Sequence, residues 1–280
     1  MDTSRWKWRP KELKFFILDM IQLQPTNNIL AISFALLLFG SGCAKTDDVD
    51  LPIPVDSNAG FTFQVPDRAF GEYMLYRGIP GVQQRFDTLE TGAVQTNFYL
   101  NPDLVVGVNA LSLSKTSSNV AALEAANVAT AAQKIQDLSG VEFFTGLDTL
   151  IVTSNDLVSL DLSANVELVE LSMNFCKVEM LDVSACPNLK KLRFRGSSQA
   201  NALLNEIDLS NNLQLRHLHL RSHGFSSIDL SANLALIEEV DLSDNPGPDG
   251  NASTADIVIP AAIYDQVQAA GGVLMGVIPE

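Results

Sequence analysis

Basic side chains crowd into one short part of the chain and are the residues best suited to binding chemistry. They are Lys190, Lys191, Arg193, Arg195, Arg216, His217, His219 and Arg221. Arginine side chains form paired hydrogen bonds with carboxylate, sulfate or phosphate groups, so the cluster predicts a site for an anionic ligand. The alternative is a solvated surface that balances the acidic neighbours Glu170, Glu238 and Glu239.

The net charge of the whole chain is opposite to that of this cluster. The 280 residues include 18 Lys or Arg and 33 Asp or Glu, which gives a net charge of −15. Five basic and three acidic residues precede position 43, so residues 43–280 carry a net charge of −17. An acidic surface repels nucleic acid and anionic lipid, and we expect neither to bind the chain.

The sequence contains none of the residue arrangements typical of catalysis or of a bound metal. All three histidines lie within seven residues, from His217 to His223. No nucleophile motif, Gly-rich phosphate loop or zinc-type Cys/His spacing occurs. We therefore expect no enzyme activity, no cofactor and no metal ion.

A six-residue phrase, apolar-x-apolar-x-x-polar, recurs nine times from Leu150 onward. The copies are LIVTSN, LDLSAN, LSMNFC, LDVSAC, LRFRGS, IDLSNN, LHLRSH, IDLSAN and VDLSDN. Two kinds of phrase alternate, and the leucines that open each pair are Leu147, Leu168, Leu189, Leu215 and Leu236. These leucines recur at a constant interval except for one longer step, from Leu189 to Leu215, which indicates a five-residue insertion near 198–203. Such repeats predict a solenoid whose coils bury their leucines against one another.

The L-x-x-L-x-L-x-x-N/C pattern resembles the leucine-rich repeat, and the spacing with a second L-D-L-S-x-N phrase is similar to internalin-type repeats. The resemblance implies a repeat solenoid, α/β to mainly β, with about five coils of roughly 21 residues each over 147–245. It also implies an N-terminal helical cap over 61–146 and a C-terminal cap over 246–280. The phrases are too close together for helices on the convex side, so we expect a second ladder of strands there.

This arrangement places the basic cluster on one surface. In the first phrase of each coil the residues between the buried leucines face outward from the concave sheet. The cluster is therefore predicted on the concave face of the third and fourth coils. Phe175, on the second coil, lies beside it and could stack on a sugar or on a peptide side chain.

Polar residues at fixed positions of the phrases are expected to have structural roles. Cys176, Cys186 and His223 each end a phrase, and the two cysteines lie on opposite sides of one coil, too far apart for a disulfide. An aspartate stands second in several phrases: Asp161, Asp182, Asp208, Asp229 and Asp241. Stacked carboxylates repel one another, so we expect hydrogen bonds from backbone amides or nearby serines to offset the repulsion; a bound cation is the alternative.

The N-terminal cap is predicted to contain two helices and a hairpin. Pro66 and Asp67 precede a helix with the apolar stripe Phe70, Tyr73, Met74 and Tyr76, and Ser118 or Asn119 precedes a second helix over 120–132. Residues 86–114 are expected to add a hairpin. Caps of this kind sometimes hold calcium, but Ser, Thr and Asn stand at 112–119 where carboxylates are required, so we expect that site to be lost.

The N-terminus resembles a bacterial lipoprotein leader. The apolar run from Ile29 to Phe39 follows five basic residues and is shorter than the roughly 20 residues that span a bilayer. Gly-Ser-Gly-Cys at 40–43 resembles a lipobox, which implies a signal peptide over 1–42 and lipidation of Cys43. Both Met1 and Met20 remain candidate translation starts.

The acidic segment 43–60 resembles the tether of lipoproteins carried to the outside of a Gram-negative outer membrane; a plain solvated linker is the alternative. These features predict a cell-surface lipoprotein, held to the membrane only by its lipid. Its concave face is expected to bind an acidic protein or an anionic glycan, in adhesion or capture. The alternative is a structural envelope component that packs against other surface proteins.

Overall fold

A computed structural model describes residues 59–196, 204–248, 250 and 256–280. The predicted signal peptide, Cys43 and all but the last two residues of the acidic segment lie outside the described residues. The predicted insertion near 198–203 lies outside them as well. The predictions made for these segments stay predictions.

The first part of the described chain forms a small antiparallel sheet with helices. Its elements are β1 (Phe63–Val65), α1 (Arg68–Tyr76), β2 (Val82–Thr88), β3 (Val94–Leu100), α2 (Pro102–Val105), β4 (Ala110–Ser112), α3 (Ser117–Ala125) and a 3-10 helix (Val141–Phe143). The strand order is β1-β3-β2, and both pairs are antiparallel. The predicted hairpin is therefore present as β2 and β3, although it begins at Val82 and the rest of residues 86–114 forms α2 and β4.

The first predicted helix is confirmed as α1. Its N-cap residue Asp67 accepts a hydrogen bond from the amide of Phe70 at 3.0 Å. Phe70, Tyr73 and Met74 are buried as the stripe requires, whereas Tyr76 is 43% exposed because it lies at the end of the helix. These buried side chains attach α1 to the sheet.

The second predicted helix is shorter and begins earlier than expected. Its N-cap is Thr116, and it ends at Ala125 rather than continuing to 132. Asn127 has a left-handed backbone (φ 57°), which the helix cannot accommodate. The amide of Asn127 bonds the carbonyl of Glu124 at 2.9 Å, a tight turn that ends the helix.

A seven-stranded parallel sheet forms the concave face of the solenoid. It contains β4 and six later strands: β5 (Thr149–Ile151), β6 (Glu170–Ser172), β7 (Lys191–Arg193), β8 (His217–His219), β9 (Glu239–Asp241) and β11 (Val273–Met275). The two outermost strands, β4 and β11, come from outside the predicted repeats. Leu111 of β4 pairs with Leu150, so the L-x-L pattern of the coils already begins at Leu111.

The core of the solenoid is a stack of leucines and other apolar residues. The five leucines that open the coils, Leu147 to Leu236, are all fully buried. Phe194 and Phe225 are also fully buried and lie on either side of the predicted insertion. The predicted leucine-rich-repeat solenoid is therefore confirmed, with the core expected from the phrases.

The convex side differs from the prediction, since no strand is assigned to the described second phrases. Turns form there instead. In the first of these phrases the amide of Asn165 bonds the carbonyl of Leu162 at 3.0 Å, and the amide of Leu168 bonds the carbonyl of Asn165 at 3.1 Å. These local bonds use the groups that a strand would offer to its neighbours, so the expected second ladder does not form.

Buried asparagine side chains join successive coils. Asn212 donates to the carbonyls of Val183 and Cys186 at 2.9 and 2.8 Å. Asn233 makes the same pair of bonds one coil later, to Leu209 and Asn212 at 2.9 and 3.1 Å. Each buried carbonyl therefore gains a donor from the next coil, which fixes the stacking distance.

The end of the solenoid is covered by a short helix and a second pair of strands. These elements are β10 (Ile257–Ile259), α4 (Ala261–Ala269) and β12 (Val277–Pro279), with β10 and β12 parallel. Ile263 and Val267 of α4 are buried. Gln266 of the same helix donates to the carbonyls of Leu234 and Leu236 at 2.8 and 2.6 Å, so α4 is hydrogen-bonded to the last coil.

Candidate functional site

The concave strands present two rows of outward-facing side chains. In register across the sheet, the first row is Thr149, Glu170, Lys191, His217 and Glu239, and the second is Ile151, Ser172, Arg193, His219 and Asp241. Arg195 and Arg221 follow two residues after the second row. The central part of this surface is basic and histidine-rich, and acidic residues lie on both sides of it.

Six of the eight predicted basic residues share this strip. Lys191, Arg193 and Arg195 come from the third coil, and His217, His219 and Arg221 come from the fourth. Lys190 and Arg216 stand immediately before β7 and β8, and both are exposed. The predicted grouping of the basic side chains is thus present, but the cluster extends from the strands onto the edge of the sheet.

Glu170 compensates the positive charge of the third coil. Its Oε1 lies 3.2 Å from Nη1 of Arg193, and its Oε2 lies 3.9 Å from Nζ of Lys191. All three side chains are partly exposed, so each pair contributes about 0–1 kcal/mol to the stability of the fold. The main effect of these pairs is therefore to reduce the positive charge available to a ligand, and their effect on the stability of the coil is small.

Four acidic residues compensate the fourth coil. Glu238 bonds both Arg216, at 2.6 Å between Nε and Oε1, and His217. The remaining contacts are His217 with Glu239 at 3.5 Å, His219 with Asp241 at 3.0 Å and Arg221 with Asp244 at 2.7 Å. The acidic neighbours foreseen as the alternative to an anion site, Glu170, Glu238 and Glu239, therefore contact four of the eight predicted residues, and Asp241 and Asp244 contact two more.

Arg195 is the strip residue whose charge has no carboxylate partner in the part of the chain that the structure describes. Its guanidinium carbon lies 5.4 Å from the centre of the Phe175 ring. Its Nε is buried without a hydrogen-bond partner among the described residues. Phe175 is 42% exposed. The predicted aromatic residue and one predicted arginine therefore form a contact pair at the edge of the concave face.

Phe175 has a left-handed backbone, with φ 62°. The equivalent residues of other coils, Ser154, Ser222 and Asp244, have φ of 64°, 61° and 60°. Small polar residues tolerate this conformation better than a bulky aromatic residue does, for which it costs of the order of 1 kcal/mol. Aligning the repeats would have shown Phe175 to be the unusual residue at this position, a signal that the sequence analysis missed.

The row of convex aspartates is held by backbone hydrogen bonds. Asp161, Asp182, Asp208 and Asp229 each accept from the amide of the serine two residues later, at 2.8 to 2.9 Å. Hydrogen bonds from the backbone and side chain of the serine hold the pKa of each carboxyl below its ordinary value. The expected hydrogen bonding is confirmed for these four.

The fifth aspartate of the sequence pattern, Asp241, lies on the concave strand β9 instead of the convex row. Burial raises the pKa of Asp241, but hydrogen bonds from His219 and Ser243 outweigh this effect and lower it. Its carboxylate lies between them, since Ser243 Oγ donates to Asp241 Oδ1 at 2.5 Å and His219 contacts Oδ2. The carboxylate of Asp241 therefore separates the imidazole of His219 from the hydroxyl of Ser243. An activated serine requires the imidazole to contact its hydroxyl directly, and this arrangement does not provide that contact.

Cys176 and Cys186 occupy the ladder positions that asparagine holds in other coils. Both are free and buried, and burial raises the pKa of each thiol to about 11. Their Sγ atoms lie 3.4 Å from the carbonyl of Val152 and 3.6 Å from that of Asn165. A thiol supplies the donor that these carbonyls need, so the predicted structural role is confirmed.

His223 fills the same kind of ladder position. Nε2 lies 2.7 Å from the carbonyl of Phe194, and Nδ1 accepts from the amide of Leu204 at 3.3 Å. Burial lowers the pKa of His223 to about 4, so the ring is neutral at pH 7. The prediction of a turn residue rather than a ligand agrees with these contacts.

The described residues contain no group of three His, Cys, Asp or Glu placed to hold a metal ion. Where a calcium loop was considered, Lys115 is buried and its Nζ bonds the carbonyls of Thr130 and Ala131 at 3.2 and 3.3 Å. An ammonium group bonded to these oxygens disfavours a dication beside it. None of the described helices has the length and apolar character needed to cross a bilayer.

Comparisons with known proteins return similar solved structures only. No protein-family profile matches the chain, and no curated protein matches it. The functional domain of InlJ from Listeria monocytogenes, described as including a cysteine ladder, is 24% identical, with a TM-score of 0.41, over 67% of this chain and 38% of that one. The internalin inlF from the same species is 16% identical, with a TM-score of 0.41, over 74% of this chain and 55% of that one.

This chain therefore spans less than two thirds of either protein. The geometry of the coils identifies the fold. Parallel strands recur at the spacing of the repeats, and ladders of buried Asn and Cys donors join neighbouring coils. On this geometry the chain is a solenoid of leucine-rich repeats.

Proposed function

We propose that this chain is a cell-surface lipoprotein whose concave face binds a macromolecular ligand, an acidic protein or an anionic glycan, in adhesion or capture. One observation carries the proposal: six basic or imidazole side chains from two neighbouring coils share one partly exposed strip. Protein-binding surfaces are commonly enriched in arginine and aromatic residues, and Phe175 lies beside this strip.

The ion pairs of the strip define how a ligand would bind. A ligand carboxylate or sulfate must compete with Glu170 for Arg193 and with Asp244 for Arg221. Both pairs are partly exposed and contribute only about 0–1 kcal/mol each to stability, so a ligand anion can replace the carboxylate partner. The proposed site is therefore a surface of exchangeable ion pairs.

A binding screen with matched variants tests this function. The full chain in detergent is applied to protein and glycan arrays beside Arg193→Gln/Arg221→Gln. The control is Lys134→Gln/Lys177→Gln, which removes two basic residues that pair with Asp156 outside the concave strands. We expect the concave variant to lose at least tenfold in affinity for ligands that the control still binds. Equal binding by all three proteins would contradict the proposal.

A row of exposed apolar side chains on the convex side favours the alternative of an envelope component that packs against other proteins. Val166, Leu213 and Leu234 each follow a ladder asparagine and are 45%, 57% and 62% exposed. If packing is the main role, Leu213→Ser/Leu234→Ser should reduce cross-linking to neighbouring envelope proteins on intact cells. Array binding through the concave face should then be unchanged by the same substitutions.

A further inference from the structure

Arg195 differs from every other arginine of the concave strip in its charge environment. Arg193 and Arg221 each contact a carboxylate, whereas no acidic side chain contacts Arg195 in the described residues. Residues 197–203, Ser-Ser-Gln-Ala-Asn-Ala-Leu, contain no Asp or Glu and so have no carboxylate to offer. A partly buried guanidinium without a counter-charge is costly, and its buried Nε has no acceptor among the described residues.

Backbone and side-chain contacts fix the relative position of Arg195 and Phe175. The amide of Phe175 bonds the carbonyl of Arg195 at 2.8 Å. The amide of Arg195 bonds Oδ1 of Asn174 at 2.7 Å. The guanidinium then lies near the Phe175 ring, whose outward position requires the left-handed backbone of that residue. A strained residue held in place by surrounding bonds is typical of binding sites.

The charges around this pair select the class of ligand. A polyanion must displace Glu170 and Asp244 to reach several basic residues at once, whereas Arg195 contacts no carboxylate among the described residues. A single carboxylate requires only one guanidinium and binds it through two parallel hydrogen bonds. The exposed ring of Phe175 adds an apolar surface next to that carboxylate.

We propose that Arg195 and Phe175 form a subsite for one carboxylate side chain, an aspartate or glutamate of a protein ligand, with an apolar group packed on the ring. The proposal rests on the proposed function of the concave face and names the chemistry that this face recognises. The carboxylate binds the guanidinium of Arg195, which has no carboxylate partner among the described residues, and its apolar neighbour lies against Phe175. Arg195 supplies the charge, and Phe175 supplies the contact that distinguishes a protein carboxylate from that of a sugar acid.

Small probes test the subsite without a known partner. The full chain in detergent, labelled with nitrogen-15, is titrated with 3-phenylpropionate, with the neutral 3-phenylpropionamide and with glucuronate. The side-chain Nε–H resonance of Arg195 is assigned by its loss in Arg195→Lys. We expect saturable shifts with phenylpropionate in the millimolar range, none with the amide, and at least fivefold weaker binding of glucuronate.

Variants separate the two residues of the subsite. Arg195→Gln should abolish phenylpropionate binding, Phe175→Asn should weaken it at least threefold, and the control Lys134→Gln, which lies outside the concave strands, should change it less than twofold. Two results would overturn the subsite: equal effects of Lys134→Gln and Arg195→Gln, or amide binding as tight as that of the acid. Glucuronate binding as tight as phenylpropionate would overturn the assignment to a protein. The array test of the concave face does not depend on these results. The subsite can therefore be wrong while the proposed function of the concave face is right.

Discussion

The two phenylalanines Phe175 and Phe194 show how one residue type serves two purposes in neighbouring coils. Phe194 is fully buried in the leucine core, whereas Phe175 is partly exposed with a strained backbone. Burial of the first ring stabilises the fold. The second ring gains little from burial and loses about as much from its left-handed conformation, which is why we assign it to binding.

The free energy of unfolding should distinguish the two rings. We expect Phe175→Asn to leave it within about 1 kcal/mol of the wild type, because asparagine tolerates the left-handed backbone that phenylalanine strains. Phe194→Ala should lower it by about 3–5 kcal/mol through the cavity it leaves. Urea denaturation of both variants measures the difference. A loss in Phe175→Asn as large as that in Phe194→Ala would mean that the Phe175 ring belongs to the core.

His223 should make the stability of the solenoid depend on pH. Burial lowers the pKa of His223 from 6.5 to about 4, so the unfolded chain binds a proton more readily than the folded chain does between these values. The contribution is fully present above pH 6.5 and is lost as the pH falls toward 4, by roughly 3 kcal/mol. Urea midpoints measured across this range should fall more steeply for the wild type than for His223→Asn.

The matched variant isolates the histidine from other groups that titrate in the same range. Asparagine occupies this ladder position in other coils, as Asn155 and Asn245 do, and it does not titrate. The two proteins differ only at residue 223. Parallel pH profiles for the wild type and His223→Asn would show that the buried ring is not responsible.

At the scale of the elements, the ladder residues determine how the coils stack. Asn212→Ala removes two donors and leaves the buried carbonyls of Val183 and Cys186 without them. We expect the free energy of unfolding to fall by about 3 kcal/mol. The preceding residue Asn211 is exposed, and Asn211→Ala should cost less than about 0.5 kcal/mol. Equal effects at the two positions in thermal or urea unfolding would argue against a structural ladder.

The sequence predicted the coils well because each one repeats the same buried pattern. It missed β4, since the single L-x-L pattern of Leu111 and Leu113 lacks a second copy nearby to identify it as a coil. It also predicted strands on the convex side where turns form. The turns depend on hydrogen bonds from serine amides to aspartates such as Asp161, which hydrophobic periodicity does not report.

At the candidate site, repeat spacing was sufficient to place the basic residues on one face. The constant interval between coils sets Glu170 opposite Lys191, and the structure has this pairing. It could not predict the contact of Arg221 with Asp244, which depends on the left-handed turn at Asp244. Which cluster residues contact a carboxylate, and that Arg195 contacts none in the described part of the chain, depends on side-chain geometry, which the sequence pattern does not specify.

At the scale of the whole molecule, membrane attachment is proposed to depend on Cys43 because the apolar run before it is too short to span a bilayer. Cys43→Ser should abolish incorporation of labelled palmitate and leave the protein either uncleaved or in soluble fractions. The buried thiols Cys176 and Cys186 provide the control, since Cys176→Ser/Cys186→Ser removes both other cysteines and should still incorporate palmitate.

Wild-type protein that takes up no palmitate would exclude lipid attachment at Cys43. Labelling that persists in Cys43→Ser would place the lipid on another residue. Acyl chains supply the free energy of membrane anchoring, and two chains anchor a protein far more stably than one. Full retention in membranes after removal of the lipid would therefore require a second contact between the protein and the membrane.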